Sequence, residues 1–287
     1  MHDSKHMELL LIIALVMLVI ATITDLRTLE VPDWLSYAGI ALGLIVHAVM
    51  SAAQWTIWPL ANSAIGLAIA FSLACLMFYT GQWGGGDAKL LMAMGALIGF
   101  DADKFGFGAS FILNLIWMGA VWGIAYTFFL AARNLRNVSR TARTLLLQNQ
   151  YARVSITSLT IAVASVVLAL FVTAAQKEFA ALAVVSIAFP ALVIITKATE
   201  LSAMHKWVTP EELVEGDWLV HNVKVGKKVI VPPKVGLEEE QITELKKLKG
   251  QKLCVKYGVP FVPAFLLAFL LTAKFGNIVL AIFFGSL

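Results

Sequence analysis

Two aspartates, Asp25 and Asp87, stand beside apolar runs in a chain with only 14% charged residues. Asp25 lies in "TDLRTLEVPDWL", residues 24–35, and Asp87 directly follows three glycines in "GQWGGGDAKL", residues 81–90. Carboxylates at or inside a membrane are costly and are functional candidates by default. When two are brought close, one is held protonated while the other acts as a base. Such a pair can activate water and protonate an amide leaving group, which predicts aspartyl-protease chemistry.

Each aspartate also has a simpler interpretation. Asp87 could serve only to interact with the positive end of the helix dipole. Asp25 could be a solvated interfacial acid paired with Arg27. The glycines before Asp87 tolerate backbone angles that other residues avoid, and they allow another backbone to approach closely. We therefore expect Gly84, Gly85 and Gly86 to leave room for an extended peptide beside Asp87.

The elements that must position these residues are membrane helices. Of the 287 residues, 60% are hydrophobic and the mean hydropathy is +0.83, so lipid must solvate much of the chain. A helix needs about 20 apolar residues to cross the hydrocarbon core. Runs of about this kind occur at 8–24, 34–53, 59–80, 105–131, 154–175, 178–196 and 259–285, with a shorter one at 87–100. The sequence predicts an all-α polytopic membrane protein with about eight transmembrane helices, within a range of six to eight.

Charge placement predicts the orientation of these helices. The segment "ARNLRNVSRTARTLLLQNQYAR" carries five arginines, and the segment 197–258 is rich in lysine. The loops at 54–58, 101–104 and 176–178 carry only two lysines. The positive-inside rule therefore places the N-terminus outside and the loops at 25–33, 81–87, 132–153 and 197–258 in the cytoplasm. Asp25 and Asp87 would then meet at the cytoplasmic face of the cell membrane.

One water-soluble segment interrupts the membrane pattern. "DWLVHNVKVGKKVIVPPK" has short β-type runs, and "LEEEQITELKKLK" has acids first and lysines last, as a helix complementing its dipole would. We expect a small α+β cytoplasmic insertion at 200–257 that docks on the membrane part. It follows helices one to seven in 7–199, which hold both aspartates, and it precedes the last helix in 258–287. The polar opening MHDSKH is left out of this prediction.

Composition also limits the partners. The pI near 9.0 arises from basic residues between apolar runs, so we expect contacts with membrane lipid and none with nucleic acid. Cys75 and Cys254 are far apart, and no cysteine pattern predicts a structural metal. We expect no metal or organic cofactor. Trp34, Trp55, Trp58 and Trp83 fall near span ends and are expected in the interfacial belts.

Three motifs resemble those of the type IV prepilin peptidases, a family of GxGD aspartyl proteases. "WGGGDAKL" resembles the GxGD motif, with glycines at Gly84 and Gly86, Gly85 as the variable residue, and Asp87. "DLRTLEVPDWL" resembles the first-aspartate motif, in which Asp25, Arg27 and Pro32 match. "GVPFVPAFLLAF" resembles the Pro-Phe-x-Pro segment at Pro260, Phe261 and Pro263. The soluble insertion is similar to the extra domain of the archaeal branch, the preflagellin and archaeal prepilin peptidases.

The resemblance implies a membrane aspartyl endopeptidase that removes the short basic leader of pilin-like or archaellin precursors. It implies Asp25 and Asp87 as the catalytic pair, and Lys89 also fits the family pattern. Asp33 departs from the commoner asparagine, and we expect it to cap the second helix just after Pro32. Bacterial members carry a cysteine-rich zinc loop and N-methylate their product. The chain lacks that loop, which argues against methyltransferase activity.

Two other classes remain open at this stage. A presenilin-type intramembrane protease shares the GxGD chemistry but has a Tyr-Asp pair within a span, whereas Asp25 follows Thr24 at an interface. Pro263-Ala264-Phe265 is only a near match to that class's Pro-Ala-Leu. An ion-coupled transporter would carry midplane carboxylates and inverted repeats. No such repeat is visible, and an uptake assay would separate it from a peptidase.

Overall fold

The computed structural model describes residues 2–100, 106–226, 228–233, 236–248 and 250–284. Within them the chain is mainly helical, and a small sheet region lies late in the sequence. The helices are α1 (His2–Thr28), α2 (Asp33–Gln54), α3 (Trp58–Tyr79), α4 (Gly85–Ile98), α5 (Phe107–Arg133), α6 (Leu135–Leu146), α7 (Asn149–Phe171), α8 (Gln176–Ala203), α9 (Glu239–Leu245), α10 (Val262–Phe275) and α11 (Ile278–Phe284). Two short 3₁₀ turns span Thr173–Ala175 and Pro210–Glu212.

Six helices in the described residues are long and apolar enough to cross a membrane. They are His6–Thr28 within α1, α2, α3, α5, α7, and Thr173–Ala203, which contains α8. The prediction of a multi-helical membrane protein is confirmed at this level. The predicted count of eight is not confirmed, because two of the expected spans are short helices.

The two short helices stop for local reasons. α4 has 14 residues, or about 21 Å at 1.5 Å per residue, and it ends at Gly99, whose φ is +72°. α10 also has 14 residues and ends at Gly276, whose φ is +67°. A glycine with positive φ just after a helix is a common C-terminal stop. The expected span 259–285 is therefore divided into α10 and α11.

The chain forms two compact units. The first comprises Met1–Gly123 and Trp207–Leu287, and the second comprises Ile124–Lys206. In the first unit, α4 is the most enclosed helix and packs against α1, α2 and α3. Glycines make this possible: a Cβ on Gly43 would lie 2.6 Å from the Ala96 carbonyl carbon, and one on Gly66 would lie 2.8 Å from the Gly99 carbonyl carbon. Small residues at helix contacts are typical of membrane proteins.

The insertion has its own small core within the first unit. β1 (His205–Val208), β5 (Leu253–Lys256) and β2 (Trp218–Leu219) form one sheet in that order, and β3 (Val223–Val225) pairs with β4 (Lys228–Ile230). β2 and β5 are antiparallel, with Leu219 opposite Val255. Leu245 of α9 and Leu237 are almost completely buried in this core. The short strands and the acidic-first helix agree with the α+β prediction.

The second unit contains the end of α5, then α6, α7 and α8. α6 is amphipathic: Val138 and Leu145 are buried in a small cluster with Ile194 and Ala198 of α8. α7 and α8 form an antiparallel hairpin, and α8 contains Pro190 in its interior. The arginine-rich segment predicted as a loop therefore includes a helix.

Candidate active site

Asp25 lies in the last turn of α1 and is only 5% exposed. Its Oδ2 accepts a hydrogen bond of 2.9 Å from the backbone N–H of Val262, and the carboxylate also accepts one from the N–H of Phe261. A buried carboxylate needs such donors, since an unpaired one is costly in a low-dielectric interior. Asp25 is therefore fixed by a segment that lies at the other end of the chain.

Arg27 does not share this environment. Its side chain is exposed at the end of α1, and it forms no ion pair with Asp25 or any other described carboxylate. The interpretation of Asp25 as a solvated acid paired with Arg27 is therefore wrong.

The Pro260–Pro263 segment supplies the donors to Asp25 because α10 begins there. Phe261 is the N-cap and Val262 is the first helical residue, so neither N–H has a partner within the helix. Pro263, at the second position, has no N–H to satisfy. Asp25 thus caps α10 from a different helix, and its negative charge faces the positive end of the α10 dipole.

Asp87 is the third residue of α4, and its Oδ2 accepts a 3.3 Å hydrogen bond from the N–H of Gly84, the N-cap. The simpler role, interaction with the start of its own helix, is therefore present. Burial, and to a smaller extent the nearby charge of Asp25, raise the pKa of Asp87 from 3.8 to about 7, although the hydrogen bond from Gly84 opposes both. Asp25 is thus close enough for its charge to influence the ionisation of Asp87.

Only one of the three glycines is tightly packed. None of Gly84, Gly85 and Gly86 has a positive φ, so their backbone angles are open to other residues. A Cβ on Gly86 would lie 3.2 Å from Cβ of Val31 and 3.3 Å from its backbone nitrogen. A Cβ on Gly84 or Gly85 would meet nothing closer than 3.7 Å. The expected close approach is found at Gly86, whereas a methyl group at Gly84 or Gly85 would make only ordinary van der Waals contacts.

An aromatic contact joins the two segments that hold the carboxylates. The rings of Trp83 and Phe261 are 5.3 Å apart, and Trp83 also lies 5.7 Å from Phe265. Trp83 precedes Gly84, whose N–H binds Asp87, and the N–H of Phe261 binds Asp25. We call Trp83, Phe261 and Phe265 the aromatic cluster. It connects the donor of one aspartate to a donor of the other.

The prediction that Trp83 lies in an interfacial belt is wrong. Its side chain is 9% exposed, whereas Trp34, Trp55 and Trp58 are 64%, 96% and 67% exposed. The tertiary contact with α10 buries it, although all four tryptophans stand near helix ends in the sequence. Its position directly before the glycine motif was the only local signal of a different role.

Two further residues support the Pro260–Pro263 segment and were not identified from the sequence. Nε1 of Trp122 donates a 2.7 Å hydrogen bond to the carbonyl of Pro260. A Cβ on Gly119 would lie 2.6 Å from the Phe261 ring, so α5 can accommodate this ring only with glycine at that position. Both residues lie within an apolar span, where nothing in the local pattern distinguishes them.

Lys89 lies on α4, two residues beyond Asp87, and it pairs with Asp33. Its Nζ is 2.7 Å from both carboxylate oxygens of Asp33 and 5.7 Å from the centroid of the Tyr37 ring. The charge of Glu215, from the insertion, also acts on Lys89. The predicted capping role of Asp33 is wrong: Pro32 is the N-cap of α2, and the Asp33 carboxylate makes no capping bond.

In chemical terms, the structure brings together two carboxylates of unequal environment. Asp25 accepts two backbone N–H groups, and Asp87 accepts one longer bond. Among the residues that the structure describes, no group of three or more histidine, cysteine or acidic side chains is placed to hold a metal ion. Fold and site together define a polytopic helical membrane protein with a candidate aspartyl dyad.

Comparison with known proteins shows what the N-terminal part of the chain is similar to. Residues 12–131, which contain Asp25 and Asp87, match the model of the type IV leader peptidase family. The preflagellin peptidase of Methanocaldococcus jannaschii is 36% identical over 87 residues, which is 30% of this chain and 37% of that protein. Preflagellin peptidases of Methanococcus voltae and Methanococcus maripaludis are 36% and 35% identical over 86 and 83 residues, or 36% and 35% of their lengths.

The resemblance found in the motifs is thus confirmed for the N-terminal part of the chain. The alignments span about a third of the length of these curated relatives. The family model ends at residue 131 and does not include the Pro260–Pro263 segment or the insertion. No solved structure matches the chain.

Proposed function

We propose that this protein is a membrane aspartyl endopeptidase that cleaves the short basic leader from pilin-like precursors such as preflagellin or prepilin. Asp25 and Asp87 are its catalytic residues. One observation carries the proposal: Asp25 is buried and held by α10, and its charge acts on Asp87 within the part of the chain that matches the leader peptidase family.

The unequal environments favour different roles for the two acids. Two backbone donors at the start of α10 suit the ionised form of Asp25, which would act as the base. The raised pKa of Asp87 suits a group that enters the reaction protonated. This division requires no metal ligand and uses only the described side chains.

The reaction follows from these roles. The Asp25 carboxylate takes a proton from water as the water oxygen bonds to the scissile carbonyl carbon, and Asp87 gives its proton to the carbonyl oxygen. In the resulting diol, Asp25 passes its proton to the amide nitrogen and the C–N bond breaks. As the carbonyl re-forms, its hydroxyl proton returns to Asp87, which regenerates the starting state.

The substrate's form fits the surroundings of the pair. A precursor with a hydrophobic helix would lie in the bilayer beside the spans, and its extended leader would pass through the space at Gly84 and Gly85. Glu215 acts on Lys89 next to the site, so the insertion brings acidic side chains near the path of a basic leader. Glu211, Glu212 and Asp217 stand on the same segment.

Placement in the membrane completes the proposal. The six candidate spans, with the short helices α4 and α10, make the eight apolar elements, and the N-terminus lies outside. The start of α4 lies at the cytoplasmic face. The insertion at 200–257 lies at the same face, and in the sequence it stands between the membrane part 7–199 and the last segment 258–287. The protein resides in the cell membrane in contact with lipid and without nucleic acid.

The test is cleavage of a reconstituted prepilin or preflagellin precursor by wild type, Asp25→Asn and Asp87→Asn. Asparagine keeps the size and removes the charge, so each variant is expected to lose about 10²–10⁴-fold in rate. Asp33→Asn is the matched control, because it lies near the site but pairs with Lys89. If either catalytic variant cleaves at the rate of the control, the dyad is wrong. If the wild type cleaves no such precursor, the substrate class is wrong.

A further inference from the structure

The second unit contains an open cavity of about 400 Å³ along α7 and α8. Volumes of this size are typical of small-ligand sites. Polar and apolar groups both line it: Arg153, Ser158 and Ser186 contribute the polar ones, and Ile161, Val185 and Phe189 contribute apolar ones. None of these residues belongs to the candidate dyad.

Two serines line the cavity with hydroxyls that have no partner. Ser158 and Ser186 are each 7% exposed, and neither hydroxyl forms a hydrogen bond to another described residue. The backbone carbonyl of Ser186 also lacks its usual helical donor, because Pro190, four residues later, has no N–H. The cavity is therefore polar where a ligand could form hydrogen bonds.

Arg153 supplies a free positive charge one turn into α7. Its side chain is exposed and forms no ion pair with any described carboxylate. Ser158 lies five residues deeper in the helix, about 7.5 Å along its axis. This is a suitable separation for one molecule with an anionic head and less polar groups beneath it.

The neighbouring helix shows that this end of the unit lies at the membrane surface. α6 connects two candidate spans, α5 and α7, so it must lie at the face where α5 ends and α7 begins. Arg136, Arg140 and Arg143 share one exposed side of α6, at spacings of four and three residues. An exposed arginine row at a membrane face attracts anionic lipid.

We propose that the α7–α8 cavity binds one anionic phospholipid. Its phosphate contacts Arg153, its ester oxygens accept hydrogen bonds from the hydroxyls of Ser158 and Ser186, and one acyl chain lies along Ile161, Val185 and Phe189. The charge of Arg153 selects an anionic head, and the apolar residues of the lining select a lipid over a soluble phosphate. The proposal concerns the second unit alone and does not depend on peptidase activity.

The experiment measures lipid retained by the full chain in detergent, using native mass spectrometry. Phosphatidylglycerol, phosphatidylcholine with the same acyl chains, and inorganic phosphate are the three probes. The variants are Arg153→Gln, which removes the charge, and Val185→Trp, which fills the cavity from an exposed position. Arg140→Gln controls for the arginine row, and Val184→Trp controls for an exposed bulky residue that does not line the cavity.

We expect saturable binding of one phosphatidylglycerol per chain, at least about tenfold tighter than phosphatidylcholine, because one charge-assisted hydrogen bond is worth about that factor. Arg153→Gln should remove the preference, and Val185→Trp should weaken binding of both lipids about tenfold. Both controls should remain within about twofold of wild type. Equal losses in Arg153→Gln and Arg140→Gln, unchanged binding in Val185→Trp, or equal retention of inorganic phosphate would overturn the proposal.

Discussion

The backbone N–H of Val262 donates a 2.9 Å hydrogen bond to Oδ2 of Asp25, a residue 237 positions earlier in the chain. The first helix and α10 are thus joined at the carboxylate to which we assign the role of base. Because Asp25 also accepts the N–H of Phe261, it has a structural role in addition to the catalytic role that we propose. Substitutions at this position must therefore be chosen to separate the two roles.

Asp25→Ala should destabilise the protein more than Asp25→Asn. Alanine leaves the buried N–H groups of Phe261 and Val262 without an acceptor, which costs about 1–3 kcal/mol, whereas the asparagine carbonyl can still accept. Thermal unfolding in detergent measures the difference between the two variants. Equal unfolding temperatures would show that the hydrogen bonds to α10 contribute nothing to stability.

The aromatic cluster should couple stability to catalysis. A double-mutant cycle of Trp83→Leu and Phe261→Leu should give a coupling free energy of about 0.5–1.5 kcal/mol, the range for aromatic pairs. Phe261→Leu should also lower kcat more than it raises KM, because it disturbs the donors to Asp25.

Phe107→Leu is the control for this cluster. Phe107 contacts Phe269 at 5.3 Å in the same unit, away from the residues that bind the two carboxylates. It should lower stability and leave kcat unchanged. A fall in kcat of equal size would mean that general destabilisation, and not the aromatic cluster, explains the effect of Phe261→Leu.

Stability and activity should depend on the ionisation of Asp87. Its pKa rises from 3.8 to about 7 on folding, so the folded state binds this proton more tightly than the unfolded state. The resulting stabilisation is complete below pH 3.8 and is lost as the pH rises to about 7. Unfolding measured across this range should show a steeper decline for wild type than for Asp87→Asn.

Cleavage should follow the same titration. If Asp87 must be protonated, the rate falls as the pH passes about 7. Asp25→Asn removes a charge that raises the pKa of Asp87, so in this variant the decline in stability should end at a lower pH. A wild-type rate that rises through pH 7 would contradict the assignment of Asp87 as the acid.

The glycines before Asp87 should respond differently to alanine. Gly86→Ala places a methyl group 3.2 Å from Cβ of Val31, and the strain should cost about 1–3 kcal/mol. Gly85→Ala meets nothing within 3.8 Å and should be neutral or slightly stabilising. The free energies of unfolding of the two variants, measured under identical conditions, give the comparison. A rate of cleavage that falls in Gly85→Ala without loss of stability would support the substrate path at this glycine.

The Lys89–Asp33 pair should contribute little to stability. The two side chains are 33% and 58% exposed, and such pairs contribute about 0–1 kcal/mol. Lys89→Gln, Asp33→Asn and the double variant form a complete cycle for unfolding measurements. A coupling above about 2 kcal/mol would indicate a structural role. Slower cleavage with unchanged stability would instead indicate that Lys89 acts on the substrate.

The sequence predicted the residues of the candidate site better than their contacts. Apolar runs indicated the long spans, because a membrane imposes a length and a composition on each helix. The motifs around Asp25, Asp87 and Pro260 identified three segments worth bringing together. The predicted count of eight spans is not confirmed, because two of the expected spans are short helices. α10 ends at Gly276, and α4 is only 14 residues long.

The roles that depend on long-range contacts were not accessible in this way. Trp83 resembles the exposed tryptophans at other helix ends, and only α10 packing against it makes it a buried member of the site. Asp33 stands where a cap is expected, yet Lys89 on another helix binds its carboxylate. Local propensity describes a residue's own helix and cannot describe which helix lies beside it.

By itself, the sequence determined that this chain is a helical membrane protein with two costly carboxylates at helix ends and a small soluble insertion. Hydropathy, helix length and the cost of charge in lipid are properties of short segments, so they can be derived without a fold. The tertiary structure decided that α10 holds Asp25, that Val31 packs closely against Gly86, and that the charge of Asp25 raises the pKa of Asp87. These are contacts between segments distant in sequence, which only the packing of the whole unit brings within a few ångströms.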